Sequence, residues 1–393
     1  MLKLMLLLFG VTFLAFMSET SHQDDAEYQL NKAGKKPSSG GVVANALAEA
    51  PRRMDFWCVL AALYLGFFSG LRTEYNDTTA YAYGFRQAKT VSEYVASDSC
   101  KPTGNPLFYI FQSFVRERTD NYHIFFVIIG IFCFYSYVRF LKKHAPNFTA
   151  SMYLFIAMGT CVFMLSAMKQ SIAVAILTYA VDKLLEKKYV AFYTLVVLAA
   201  GFHFYGIIFA VLPFFMTKPW TGKTYLVLIG VLFVMLTFES TLTAFIEASD
   251  EMGKNVATEE VFDNHSMNFI RVLVYSVVPI ITFVFRKKIF EDSTPAENLF
   301  VNMSIICFFI NSMGLVSAAN MFSRLATYFE FGTIVSLPVV VNKAFEKETA
   351  KIVMVVAMVC YFGYFLYEFA VSKNFGENYR AITIFEFIQE VFT

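Results

Sequence analysis

Four polar groupings interrupt an apolar chain, and their residue types suit chemistry on an anion. GLRTEYNDTTAY (70–81) carries Arg72, Glu74, Asp77 and Tyr81, and AMKQSIA (167–173) carries Lys169 and Gln170. GFHFYG (201–206) holds His203, and NMFSRLATY (320–328) holds Asn320, Arg324 and Tyr328. On a helix, Tyr328 falls one turn beyond Arg324 on the same face. Three cations and a histidine suit a polyanion, above all a diphosphate. Arginine would grip phosphate oxygens bidentately, and lysine would act as a point charge. Histidine, with an ordinary pKa of about 6.5, is the first choice for a base near neutral pH. Asp77 is the second, and the two could exchange roles. Tyr81, Gln170, Tyr328 and Asn320 could add hydrogen bonds to the same ligand.

Each residue also has a plainer reading. Lys169 could snorkel to solvent, and Arg324 could anchor a helix end among headgroups. His203 could be a core histidine bonded to a carbonyl. Asp77 could serve only as a loop or capping residue. Glu74 reads as a solvated loop charge, and the acidic stretch 245–268 as a solvated face.

The elements that must carry these residues are helices in a membrane. The chain is 57% hydrophobic and 16% charged, with mean hydropathy +0.53. Long apolar runs recur along its length, the pattern of an all-α polytopic integral membrane protein and not of a β-barrel. Net charge is +1, which gives no bulk attraction to nucleic acid. Five of the six cysteines lie in apolar runs, with no disulfide framework or metal-ligand spacing. No metal and no cofactor are expected.

Candidate spans are 1–17, 54–71, 121–141, 148–168, 170–186, 189–201, 204–216, 224–244, 269–285, 298–316, 325–341 and 351–371. Residues 1–17 read as a short first span, because the cleavage pattern of a signal peptide is poor. Residues 18–53 read as a flexible cytoplasmic linker, 54–371 as a single membrane domain, and 72–120 and 245–268 as extracytoplasmic loops. Within 72–120, NPLFYIFQSFV suggests an interfacial or re-entrant helix. Residues 372–393 read as an extracytoplasmic tail, and no repeat of domain-building length is visible.

Loop charge sets the orientation. KKH (142–144), EKK (186–188), KPWTGK (218–223), RKK (286–288) and NKAFEKETAK (342–351) are basic, and the alternate loops are neutral or acidic. The basic set should be cytoplasmic. One continuous helix over 189–216 would invert every later loop, so the chain must turn back near Gly201–Gly206, with His203 at the turn. This gives about 12 spans, with all the singled-out residues at the outer surface. Cations are disfavoured there, so their presence suggests a site.

The ordered set GLRTEYNDTTAY, NPLFYIFQSFV, MKQSIAVAILTYAVDKLLEKKYVAFYTLVVLAAGFHFYGIIFAVLPFF and NMFSRLATYFEFGTIVSLP resembles the EpsG family, a branch of the Wzy-type polysaccharide polymerases. Two departures stand out. Lys169 replaces the family's usual arginine, keeping charge but losing the bidentate fork. Phe204 and Tyr205 follow His203, where a small hydroxyl residue is common.

The resemblance implies a GT-C-like membrane glycosyltransferase making an exopolysaccharide, capsule or O-antigen. It would join oligosaccharide units carried on undecaprenyl diphosphate, at the outer face of the bacterial inner membrane. Arg72, Lys169 and Arg324 would face the leaving diphosphate, with His203 or Asp77 as base. Implied partners are the lipid-linked oligosaccharide, membrane lipid, a flippase and a chain-length regulator. A glycan or anion transporter, or a ligase using the same donor, are the alternatives.

Overall fold

The computed structural model describes residues 1–32, 52–226, 228–230, 232–233, 267–315, 319–373 and 375–392. The chain is an all-α polytopic membrane protein. It groups into two compact units, Met1–Phe209 with Met358–Thr393, and Ala210–Ala357, where a single membrane domain is the sequence expectation.

The first unit holds α1 (Leu2–Lys32), α2 (Phe56–Gly70), β1 (Arg72–Glu74), α3 (Thr78–Arg86), α4 (Pro106–Arg116), α5 (Tyr122–His144), α6 (Phe148–Ala157), α7 (Thr160–Ser166), α8 (Met168–Leu185) and α9 (Tyr189–Phe202). Its centre is the α2–α5 pair. Gly66 and Gly70 lie one turn apart, and a Cβ at Gly70 would stand 2.6 Å from the Val127 Cα. At Gly130 a Cβ would stand 2.6 Å from the Gly66 carbonyl oxygen. Small residues here let two backbones touch, the main source of packing energy between helices in lipid.

The second unit holds α10 (Phe269–Val284), α11 (Pro295–Met313), α12 (Ala319–Thr327) and α13 (Glu330–Ala344). Its tight crossing is at Gly332, where a Cβ would lie 2.4 Å from the Met303 Cβ, beside a Thr333–Ser304 hydroxyl bond of 2.9 Å. Then come α14 (Lys347–Leu366), β2 (Arg380–Ala381) and α15 (Ile384–Phe392).

Among the described residues, 4 helices are long and apolar enough to cross a membrane, or up to 6 if each bent pair is one span. The bent pairs are α6–α7, at 51°, and α12–α13, at 62°. Gly159, with φ +89, makes the first bend. Four more apolar helices, including α2, α9 and α10, are shorter. Helix α8 is long enough, but Lys169, Asp182 and Lys183 interrupt its apolar run.

Three expected segments look different in detail. The linker 18–53 begins as helix, because α1 continues to Lys32. QDDAEYQLNK contains no glycine or proline, so nothing in it stops a helix before Gly34. Residues 33–51, the loop 245–266 and most of the span 224–244 lie outside the described residues. Residues 72–120 contain β1, α3 and α4, and the tail contributes β2, which pairs antiparallel with β1. The apolar block NPLFYIFQSFV does form a helix, α4, opened by Pro106 at its first position.

Candidate functional site

Arg72 is the best anchored of the expected residues. It sits in β1, opposite Ala381 of β2, and is 1% exposed. Its Nε donates to the Thr78 Oγ1 at 3.1 Å, and its Nη1 to the Ser69 carbonyl and hydroxyl. The guanidinium lies 4.7 Å from the centre of the Phe126 ring. Burial lowers its pKa to about 10, so it stays a cation at neutral pH. No carboxylate lies within ion-pair distance of it among the described residues.

Asp77 occupies the N-cap position of α3, yet its side chain makes no capping bond and is exposed. Asn76 before it has φ 44, a left-handed conformation that asparagine tolerates. Its amide donates to the Ser166 Oγ at 2.7 Å. That bond joins the loop of Asp77 to the break between α7 and α8, where Lys169 and Gln170 begin α8.

Lys169 is half-buried. Its Nζ donates to the Tyr109 hydroxyl at 2.7 Å and stands 4.3 Å from the Tyr109 ring centre and 5.2 Å from that of Phe108. Among the described residues it too has no carboxylate partner. Phe108 touches Tyr81 edge-on at 5.9 Å, which brings Tyr81 of α3 to the same aromatic wall. Gln170 is buried beside this wall's lysine.

His203 ends α9 in an extended conformation, φ −150 and ψ 111, and a 3-10 helix from Phe204 to Phe215 follows. The break is held by α4: the Asn105 Oδ1 accepts from the Phe204 N–H at 2.9 Å. A Cβ at Gly201 would fall 2.5 Å from the Leu107 Cδ1, so this glycine permits close contact of α9 with α4. The imidazole is half-buried and packs 5.4 Å from the Tyr205 ring. Helix α4 thus ties together the segments bearing Tyr81, Lys169 and His203 in the first unit.

In the second unit Arg324 donates from Nε to the Asn320 Oδ1 at 3.1 Å, one turn back on α12. Tyr328 is buried at the α12–α13 bend. Arg271 on α10 donates to the Ser323 hydroxyl at 3.3 Å, beside Arg324. One turn on, the Tyr275 hydroxyl donates at 2.7 Å to the buried carboxylate of Glu330. Arg271, Tyr275, Glu330, Tyr109 and Asn105 are absent from the sequence-based set. Arg271, like Arg324, is a cation at the outer end of an expected span by loop charge.

The opposite helix ends behave differently. There Asp182 receives Arg139 at 2.7 Å, Lys143 at 2.9 Å and His144 at 2.6 Å. Lys142 reaches Asp55 at 3.5 Å, and in the second unit Lys343 reaches Glu297 at 3.0 Å. Arg139, Lys142, Lys183 and Lys343 at these basic ends have carboxylate partners, although half-buried Arg52 meets the Ala145 and Pro146 carbonyls instead; Arg72 and Lys169 have only hydroxyls, a carbonyl and aromatic rings.

A model of the EpsG family matches residues 55–383. The chain belongs to the EpsG family. This is a family of Wzy-type polysaccharide polymerase-like membrane proteins. No curated protein and no solved structure matches it. In this EpsG-family chain all the expected site residues, Arg72 to Tyr328, fall inside the matched stretch, and so do Tyr109, Arg271 and Glu330.

Proposed function

We propose that this protein is a polysaccharide polymerase. It joins oligosaccharide repeat units carried on undecaprenyl diphosphate, at the outer face of the bacterial inner membrane. The observation that carries the reading is the pair Arg72 and Lys169, a buried and a half-buried cation without carboxylate partners among the described residues of an EpsG-family chain. A buried charge is costly unless something of opposite sign meets it. A lipid diphosphate supplies that charge when it binds.

Lys169 meets the leaving diphosphate as its charge grows in the transition state. Arg72 adds positive potential, since its Nε and Nη1 already serve Thr78 and Ser69. In the second unit, Arg324 with Arg271 beside it is a further candidate for contact with an anion. His203 or Asp77 takes the proton of the acceptor hydroxyl. Asp77 brings a carboxylate without a capping bond, and His203 a ring at a helix break. Tyr81 and Gln170 position sugar and phosphate in the first unit, and Asn320 and Tyr328 are the candidates for that role in the second. The family's GT-C-like arrangement of about 12 spans, with the basic loops cytoplasmic, belongs to the same proposal.

The test uses purified protein in nanodiscs with a lipid-diphosphate-linked repeat unit. Wild type should give a ladder of longer products on a gel, and well-folded Lys169→Ala and His203→Ala should not. A wild type that binds the glycan but makes nothing longer would sink the polymerase reading in favour of transport or ligation. Full ladders from both variants would overturn the site assignment alone.

A further inference from the structure

Helix α15 follows the strand β2 and lies just beyond the stretch matched by the family model. Thr383 and Glu386 open it with reciprocal bonds, a side chain capping each other's backbone N–H, so the helix is locally specified. Its nine residues divide into three faces when set around a helix. Val391, Ile384, Ile388, Phe392 and Phe385 are contiguous and apolar. Gln389 and Glu386 lie opposite. Phe387 and Glu390 fall on the remaining edge.

The remaining edge holds the helix to the protein. Phe387 packs 6.4 Å from the Phe67 ring of α2, and Glu390 accepts from the Asn121 amide at 3.1 Å. Asn121 is the N-cap of α5, a membrane-crossing helix, and Phe67 lies in the last turn of α2. Helix α15 is therefore held at the level where spanning helices leave the apolar layer. At that level its apolar face is open: Phe392 is 84% exposed, Phe385 76% and Ile388 46%.

We infer that α15 is an interfacial membrane anchor, lying along the bilayer surface with Ile384, Phe385, Ile388, Val391 and Phe392 immersed among acyl chains. The occupant of the open face is lipid, because Phe67 and Asn121 hold the helix at the ends of two apolar helices of a membrane protein, the level of the bilayer surface. Glu386 and Gln389 then point to water, the division expected of a helix at rest in an interface. The polar edge is acidic, so anchoring rests on apolar burial and not on attraction to anionic headgroups.

The test is spin-label accessibility in vesicles of neutral phosphatidylcholine. The full chain carries one label at Phe385→Cys, Ile388→Cys or Gln389→Cys, with the less buried thiols removed as Cys100→Ser and Cys360→Ser. Labels at 385 and 388 should be relaxed several-fold more by dissolved oxygen than by a water-soluble nickel chelate. The label at 389 should show the reverse. Nickel access at all three positions would place the helix in water and overturn the anchor. Shielding of 385 and 388 from both reagents would overturn it in favour of protein, such as a second copy, on that face. Two apolar positions keep the result readable if one variant folds poorly.

Discussion

Lys169 and Arg72 carry the same charge in different surroundings, and substitution should separate them. Lys169→Ala removes an ammonium held by Tyr109 through one hydrogen bond and two ring contacts. Polymer formation should fall roughly 100-fold or more, the scale of losing one donor to a developing negative charge. The thermal midpoint in detergent should barely move. Tyr109→Phe keeps the ring and removes the hydroxyl. It should raise the KM for the lipid-linked donor more than it lowers kcat, because the lysine loses its aim while its charge remains. Arg72→Ala should instead lower the midpoint and the folded yield. It empties a buried volume and strips the Ser69 and Thr78 oxygens of their donor. The sequence makes these cations visible by type and by position at helix ends. It cannot show that one is sequestered behind a strand, because β2 reaches Arg72 from more than 300 residues away.

At the scale of elements, the helices are legible and their contacts are not. Apolar runs announce α5, α11 and α14, and charge alternation announces the break at His203. The helix α4 is equally plain from its apolar block. Its clamp on the break is not, since it depends on the Asn105 side chain and on the absence of a Cβ at Gly201. The GFFSG spacing in α2 carries a second hidden contact. Gly70→Ala places a methyl 2.4 Å from the Val127 Cγ2 and 2.6 Å from its Cα, so α2 and α5 must separate. The expected cost is about 1–3 kcal/mol of stability, read as a lower thermal midpoint. Gly363→Ala on α14 is the matched control, with nothing within 4 Å of the new Cβ. It should hold or raise the midpoint, because alanine gains about 1 kcal/mol over glycine inside a helix.

Over the whole molecule, the proposed function assigns the carboxylate-paired cluster at Asp182 to the fold and Lys169 to the substrate. Asp182 is 6% exposed and gathers Arg139, Lys143 and His144. Asp182→Asn would leave sequestered Arg139 beside a neutral amide, and breaking a buried pair in this way costs roughly 3–5 kcal/mol. The variant should express poorly and melt early. Its folded fraction, isolated by size exclusion, should still extend the glycan at close to the wild-type rate per molecule, because the cluster lies at the basic helix ends. Lys169→Ala should give the mirror image, with normal melting and no ladder. The two variants together test whether unpaired cations mark the reacting end of the protein. If Asp182→Asn abolishes extension in molecules that melt normally, the basic end takes part in the reaction, and pairing with carboxylates is no guide to which charges meet substrate.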